Sequence, residues 1–433
     1  MVGLSGGVDS VVLLHLFSQL APRFSWQLTA IHVHHGISAN ADRWAAFCST
    51  LCARLCIPLH IERVDIAPLR AHGLEAAARR LRHAAFANQP CDYVALAHHA
   101  DDQVETLFLQ LLRGAGVRGA SAMPFIKRVS QSPPLKEEGW GDVPRCPVLL
   151  RPLLSLTRQE ILDYAALHDL EWIEDESNAD EGYPRNFLRH RLLPLLSEKF
   201  PAYRETLTRS TRHFAEAAEL LDDLARLDAV KAMSADTLSV AALQTLSLPR
   251  AKNLLRYFLH QLGAPMPQVV QLDDMLHQLC GAREDAVVCI SFGGWQVRRY
   301  QGRVYGSRAL GEFNRGLVLP WSGEDRLGWP ATGSCVVFEH GAGQGISLAK
   351  LQRAPVTLRL RQGGESLRPS SNAATRTLKN LLQEHRIPPW LRDRLPLLYC
   401  GEELACMPGV AIAAEYQTTE NEAGIGVYPA ELS

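Results

Sequence analysis

The first hundred residues switch repeatedly between two hydrophobic periods. After SGGVDS (Ser5–Ser10), the run VVLLHLFSQL spaces apolar residues along one face of a helix, and LTAIHVHHG reads as a strand ending in histidines and glycine. The alternation continues with a helix in ADRWAAFCSTLCARLC, a strand in IPLHIERVDI, a helix in LEAAARRLRHAAFANQ, a strand in CDYVALAHHADD and a helix in DDQVETLFLQLLRGAG. Strands alternating with helices of this length predict an α/β fold, with a parallel sheet covered on both faces. Ligands of such sheets sit beyond the carboxyl ends of the strands. SGGVDS, HVHHG and AHHADD all fall there, so the three should converge on one crevice.

Beyond Phe200 the pattern is helical to about Leu227, with AEAAELLDDLARL as a connecting helix. Residues 238–305 mix helical runs (LPRAKNLLRYFLHQL, PQVVQLDDMLHQL) with strand runs (DAVVCISFGGWQVRRYQGRVYG), as a small α+β domain would. A Gly/Pro/Trp-rich stretch from about Gly311 to Gly345 reads as a connection with short strands. Two features stand outside this order. Only Met1–Leu4 precede SGGVDS, fewer than the roughly five residues of an ordinary strand, so Met1 is expected inside the first strand, with a shortened central strand and a cost in stability if the chain begins there. The polar, Pro/Gly-rich segment between Met123 and Leu149 reads as an inserted surface loop without chemistry.

Composition changes this picture little. The chain has 433 residues, 47% hydrophobic and 21% charged, enough for several globular domains. No apolar run approaches the roughly 18 residues of a membrane span and no basic-then-apolar leader is present, so a cytoplasmic location without membrane is expected. Ten cysteines include no C-x-x-C pair. Cys48, Cys52 and Cys56 recur at i, i+4, i+8 and are expected as helix core rather than metal ligands. A net charge of −1 excludes a global basic field, so any nucleic-acid surface must be local. One segment supplies it: between Arg353 and Arg394 nine cations face only Glu365, Glu384 and Asp393. Its excess predicts contact with a phosphate backbone.

SGGVDS has the chemistry of an anion loop. Gly6 and Gly7 let the backbone approach a phosphate, Ser5 and Ser10 add hydroxyls, and the helix starting near Asp9 aims N–H groups and its dipole at the same place. Neither a Walker loop nor a dinucleotide fingerprint is present. Asp102 and Glu105, three apart at a helix start, share a face where they could bind magnesium or an amine, and Asp101 must point elsewhere. Of the adjacent His98 and His99, at most one should face the crevice. Arg185 and Arg189 share a helical face, with Asn186 and Arg191 beside them.

SGGVDS opening a βα unit, followed by AHHADDQVET, resembles the PP-loop (N-type ATP pyrophosphatase) family, whose Rossmann-like catalytic domain belongs to the adenine nucleotide α-hydrolase-like folds. LEAAARRLR with Glu75, Ala78, Arg79 and Arg82, WIEDESNADEGYPRNFLRHRLLPLL with Tyr183 and Pro194, and the C-terminal RLRQGGESLRP and IPPWLRDRLPLLY are similar to the tRNA(Ile)-lysidine synthetase family within it. The resemblance implies ATP-dependent ligation of free lysine to carbon 2 of the wobble cytidine in an isoleucine tRNA with a CAU anticodon. Adenylation of the cytidine O2 releases pyrophosphate, and attack by the lysine ε-amine releases AMP. It implies ATP contacts at Ser5, Gly6, Gly7, Val8, Asp9, Ser10 and His32, and catalytic roles for Asp9, Asp102, Glu105 and Arg79. Magnesium is expected at Asp9 and Asp102. Arg185, Asn186, Arg189, Arg191, Arg361, Arg368, Lys379 and Arg392 are expected to meet tRNA.

The expected domains are a PP-loop domain (1–213), a connecting helix with a tRNA-recognition domain (214–315), a linker (316–352) and a basic C-terminal tRNA-binding domain (353–433), the last two domains being α+β. Two other readings stand beside this one: a PP-loop tRNA thiolase, against which the missing C-x-x-C speaks, and a tRNA-binding protein with an inactive ATP site, against which the intact acids speak. The sequence leaves open whether the enzyme is a monomer or a homodimer.

Overall fold

A computed structural model describes residues 1–36, 38–66, 74–128, 147–234, 236–283 and 286–431. The chain divides into two compact units, the first made of Met1–Ser234 and Ala242–Met266, the second of Ala235–Ala241 and Pro267–Ser433. The expected insertion falls largely on residues outside those described, 129–146. Among the described residues no helix is long and apolar enough to cross a membrane.

In the first unit the predicted alternation is present element by element: β1 (Val2–Gly3), α1 (Val8–Phe24), β2 (Ala30–His34), α2 (Ala41–Arg54), β3 (Leu59–Arg63), α3 (Leu74–Ala87), β4 (Tyr93–Ala95) and α4 (Ala100–Leu112). α5 (Val117–Ala120), β5 (Ile126–Arg128), β6 (Val148–Leu150) and α6 (Arg158–Leu167) follow. The sheet order is β3-β2-β1-β4-β6-β5, parallel except for the edge strand β5, which runs antiparallel to β6. Alternate residues feed opposite faces. Val2, Ala30 and Ala95 join the apolar residues of α1, α2 and α6, whereas Ile31, Val94 and Leu149 pack with Phe86 of α3.

β1 is two residues long, yet it is central, with β2 on one side and β4 on the other. The chain winds outward from β1 to β3 and then returns to β1's other flank as β4. The strand order therefore reverses between β1 and β4, the place where a doubly wound sheet opens a ligand crevice. Cys48 and Cys52 lie on the buried face of α2 as expected, but Cys56, also expected in the helix core, lies past the helix end at Arg54 and is exposed. Burial raises the Cys48 pKa to about 12, which keeps it a thiol.

Past Tyr183 a short helix α7 (Pro184–Phe187) passes into a π-helical turn (Leu188–Leu192), then α8 (Leu193–Lys199) and the 30-residue helix α9 (Tyr203–Ala232). Helix Leu248–Gln261 packs on α9, with Arg250 paired to Asp228 and Asn253 donating to the Leu221 carbonyl at 2.6 Å.

The second unit is built of antiparallel sheets. Strands Val288–Phe292, Trp295–Tyr300 and Arg303–Arg308 form a meander. Residues 316–352, expected as a linker with short strands, carry strands Val318–Trp321, Arg326–Trp329, Ser334–Ala342 and Ile346–Ser347. Ser334–Ala342 pairs along its full length with Ala423–Glu431, and Trp329, Val336 and Phe338 lie in one core with Leu358, Leu398 and Ile425. Glycine and proline mark turns in this segment.

Candidate active site

The crevice at the β1/β4 switch point is built from the loop after β1 and the start of α4. In the loop, Ser10 is the hub. Its Oγ accepts the N–H groups of Ser5 and Gly6, both at 3.2 Å, and donates to the Gly7 carbonyl at 2.9 Å. Ser5 Oγ lies 3.1 Å from it and accepts the Gly7 N–H at 3.3 Å. Gly6 holds φ +92°, and a Cβ there would stand 2.9 Å from Ile173 Cδ1. Ile173 donates its N–H to the Gly6 carbonyl at 2.9 Å. The run WIEDESN is thereby fastened to the loop, although more than 160 residues separate them in sequence. Val8 is buried at the start of α1, and His32 is buried beside the loop, where Nδ1 donates to the Leu4 carbonyl at 2.9 Å. His32 thus braces the end of β1.

The acids at α4 divide as their spacing required. Asp101 turns away, accepting the Arg158 N–H at 2.9 Å and an N–H of Arg204. Asp102 joins the crevice: its Oδ2 accepts the His99 N–H at 3.0 Å and lies 3.5 Å from His99 Nε2, which stands 3.8 Å from Asp9 Oδ1. Burial favours the neutral acid at both aspartates, with opposite outcomes. Asp9 is pushed above the usual carboxylate range by burial, which His99 and Arg158 only partly offset. At Asp102 burial is outweighed by His99 and Arg185, and the pKa falls. Asp9 Oδ1 is buried without a hydrogen-bond partner, an orphaned acceptor beside a second carboxylate. Among the described residues no three-fold set of His, Cys, Asp and Glu is placed to hold a metal alone. Two carboxylates beside a phosphate loop suit magnesium, which takes one or two acids and completes its shell with substrate phosphates and water.

Glu105 departs from its expected role as a free carboxylate in the crevice. It is fully buried, receiving Arg185 Nε at 2.7 Å on one oxygen and Arg189 Nε at 2.7 Å on the other. Both guanidinium groups also stand 3.7 Å from Asp102 Oδ1. Arg185 and Arg189 do share a face, but that face looks inward. Asn186 is buried and donates to the Asp180 carbonyl at 2.8 Å, and Arg191 pairs with Glu181. Of these four only Arg191 is exposed, and it is paired with Glu181, so together they present no continuous solvated basic face.

Arg79 lies on the exposed side of α3, beside a group of cations that the sequence did not bring together. Burial and then Arg79, Lys127 and Arg82 depress the His83 pKa to about 4, and burial with Arg82 does the same to His35. His98 is buried within the electrostatic reach of both Asp102 and these cations. Burial is the main cause of its low pKa of about 3, with Arg151, Arg185 and Arg82 adding to it against the pull of Asp102. Arg151 is buried and donates to the Pro124 carbonyl at 2.6 Å, and burial and Arg79 lower its pKa to about 10. Neutral histidines among arginines leave this wall of the crevice positive.

In the C-terminal region most of the predicted cations have acid or hydroxyl partners. Arg368 meets Glu415 at 2.9 Å, Arg361 lies within 3.7 Å of Glu365 and Asp393, and Arg392 donates to the Tyr300 hydroxyl at 2.8 Å. Glu415 lies outside the 353–394 segment, so the excess counted along the sequence overstates the charge on the surface. Lys379 is exposed.

A family model described as a PP-loop domain matches residues 1–196, one described as a TilS substrate binding domain matches 238–305, and one described as a TilS substrate C-terminal domain matches 356–428. The tRNA(Ile)-lysidine synthase of Nitrosomonas europaea is 42% identical over 100% of this chain and 92% of its own length. That of Azoarcus sp. is 42% identical over 98% of this chain and 89% of its own, and that of Coxiella burnetii 37% over 98% and 92%. With relatives matched from end to end, and a phosphate loop and an acidic helix meeting at the switch point of its sheet, the chain belongs to the tRNA(Ile)-lysidine synthase family.

Proposed function

We infer that the protein converts the wobble cytidine of a CAU-anticodon isoleucine tRNA to lysidine, using ATP and free L-lysine. The observation that carries the reading is the loop Ser5–Ser10 set against Asp9 and Asp102 in a chain alike to such synthases over its whole length. In the first step the cytidine O2 attacks the α-phosphorus of ATP and pyrophosphate leaves with the bonding electron pair. The loop amides and the Ser5 and Ser10 hydroxyls would receive the β and γ phosphates, exchanging their present hydrogen bonds for phosphate oxygens. Magnesium held by Asp9 and Asp102 would neutralise charge on the departing pyrophosphate. In the second step the lysine ε-amine attacks carbon 2, AMP leaves, and the amine loses a proton.

Each side chain has a task that follows from its surroundings. Asp102, ionised because His99 and Arg185 outweigh its burial, can hold the incoming amine or the metal. Glu105 fixes Arg185 and Arg189 beside it. Arg79 and the cations around His83 offer charge to the AMP phosphate or the anticodon backbone. The protein used for the test is the full chain with ATP, magnesium and labelled lysine, offered isoleucine and elongator methionine transcripts, both with CAU anticodons. Label entering the isoleucine transcript alone, with AMP released, supports the reading. AMP released without lysine transfer would return the thiolase alternative, and no AMP at all would leave a binding protein.

A further inference from the structure

The second unit holds a cleft of about 230 Å³ whose walls include Arg298, Phe313, Arg315, Trp390, Asp393 and Arg394. None of its three arginines is neutralised, and two of them, Arg298 and Arg394, are fixed in place. Arg298 holds its Cζ 4.9 Å over the Trp390 ring and donates to the Gln296 amide oxygen at 2.7 Å, while its Nε is buried and bonded to nothing. Arg394 holds its Cζ 4.2 Å over Phe313 and donates to the carbonyls of Ala331 and Gly311 at 2.9 and 2.6 Å. Arg315 is exposed and makes no hydrogen bond or ion pair among the described residues. Aromatic rings and carbonyls position a guanidinium but leave its charge uncancelled, as a carboxylate would not.

The contrast with neighbouring arginines is direct. Arg359 meets Glu402 at 2.9 Å and Arg376 meets Glu384 at 2.6 Å. At the cleft the acid present, Asp393, is turned toward Arg361 at 3.7 Å. Burial and the nearby charge of Arg298 push the Arg394 pKa below its usual value, as expected of like charges gathered without a counterion. Trp390 is itself held edge-on by Tyr300 at 6.1 Å and Tyr305 at 5.5 Å, so the arginine stacked on it has a rigid seat.

We propose that this cleft takes a phosphate of the RNA backbone, Arg298, Arg315 and Arg394 together supplying its counter-charge. The proposal rests on the reading of the chain as a tRNA enzyme and adds where, away from the reacting base, the RNA is gripped. A free phosphate would present the same chemistry, so the test has two arms.

In the first arm the full chain and its Arg315→Ala, Arg315→Lys and Arg298→Gln variants are titrated with the isoleucine transcript at several salt concentrations. Each loss of an arginine should weaken binding about five- to tenfold at low salt and reduce the slope of log Kd against log salt by about 1. Arg315→Lys should keep most of both, and Arg376→Ala, which removes an arginine already paired with Glu384, should change neither. In the second arm inorganic phosphate is titrated calorimetrically into wild type and Arg315→Ala. Equal RNA affinity and slope in wild type, Arg315→Ala and Arg298→Gln overturns the proposal. Loss of phosphate binding in Arg315→Ala with an unchanged RNA slope also overturns it, assigning the cleft to a free anion. A wild type that binds no transcript refutes the tRNA reading itself, which is a different result from variants that bind as well as wild type.

Discussion

Replacing Glu105 by glutamine separates a carboxylate that binds lysine from one that holds the wall beside it. The glutamate is fully buried and takes Arg185 Nε and Arg189 Nε at 2.7 Å and Arg189 Nη2 at 3.1 Å. Glutamine keeps the shape and one acceptor, but it removes the charge and turns an NH2 group toward an arginine N–H. Taking one partner out of a buried ion pair costs about 3–5 kcal/mol. Both arginine side chains are 24% exposed, so water can reach them and the lower end, about 3 kcal/mol, is expected. At a urea m-value of about 3 kcal/mol/M, the unfolding midpoint of the first unit should fall by about 1 M. Arg189→Met should cost a similar amount, and the double variant should cost clearly less than the sum, because both changes break the same bonds. The assay is urea unfolding of the full chain, with the lysine KM measured on the same preparations. A midpoint shift below about 0.3 M, or under about 1 kcal/mol, together with a lysine KM raised tenfold or more, would refute the positioning role.

The loop yields two further predictions. Ser10→Ala removes the acceptor for two loop amides, so the ATP KM for AMP formation should rise about tenfold, or about 1.4 kcal/mol, with the circular dichroism unchanged. Gly6→Ala forces a side chain into φ +92° and against Ile173, whereas Gly36→Ala, at φ +66°, meets nothing within 4 Å. AMP formation should fall at least tenfold in the first and much less in the second. Asp102→Asn should raise the magnesium concentration for half-maximal AMP release at least tenfold. The burial-depressed histidines predict a pH effect on stability. The unfolded chain takes up protons below about pH 6.5 that folded His83 refuses until about pH 4, so stability is lost as pH falls through that window. Urea midpoints between pH 7 and 5 should decline less steeply in His83→Asn, by a fraction of the ~1.4 kcal/mol per pH unit that one full proton carries, since the ring is only partly buried. An unchanged slope would place the proton uptake elsewhere.

The catalytic half was legible because its signals are local. Periods of 3.6 and 2 alternate cleanly from Val8 to Leu112, and Gly6 with Ser10 lies within one turn of chain. The i, i+3 spacing correctly sent Asp101 away from Asp102. The same spacing could not say how deep Glu105 would lie, because the arginines that bury it come 80 and 84 residues later. Charge counting failed for a related reason. Arg359 and Arg368 look unopposed within residues 353–394, but Glu402 and Glu415 reach them from later in the chain. Trp390, read as core, serves as a platform under Arg298. Residues 316–352 read as a connector with short strands, and the nine-residue strand Ser334–Ala342 owes its length to pairing with Ala423–Glu431, a long-range fact.

The chain leaves the first unit after Ser234, returns at Ala242 and leaves again after Met266. During synthesis, then, the catalytic sheet emerges long before the last helix that supports α9. The N-terminal unit has all its partners only once residue 266 has been added, by which time Ala235–Ala241 has been committed to strands still to be made. A stop codon after Ser234 would give a fragment with an intact phosphate loop and an uncovered flank on α9, where Arg250 and Asn253 belong. The stitch makes the two halves inseparable by simple truncation. It also ties the integrity of the ATP-binding half to translation having entered the half that follows.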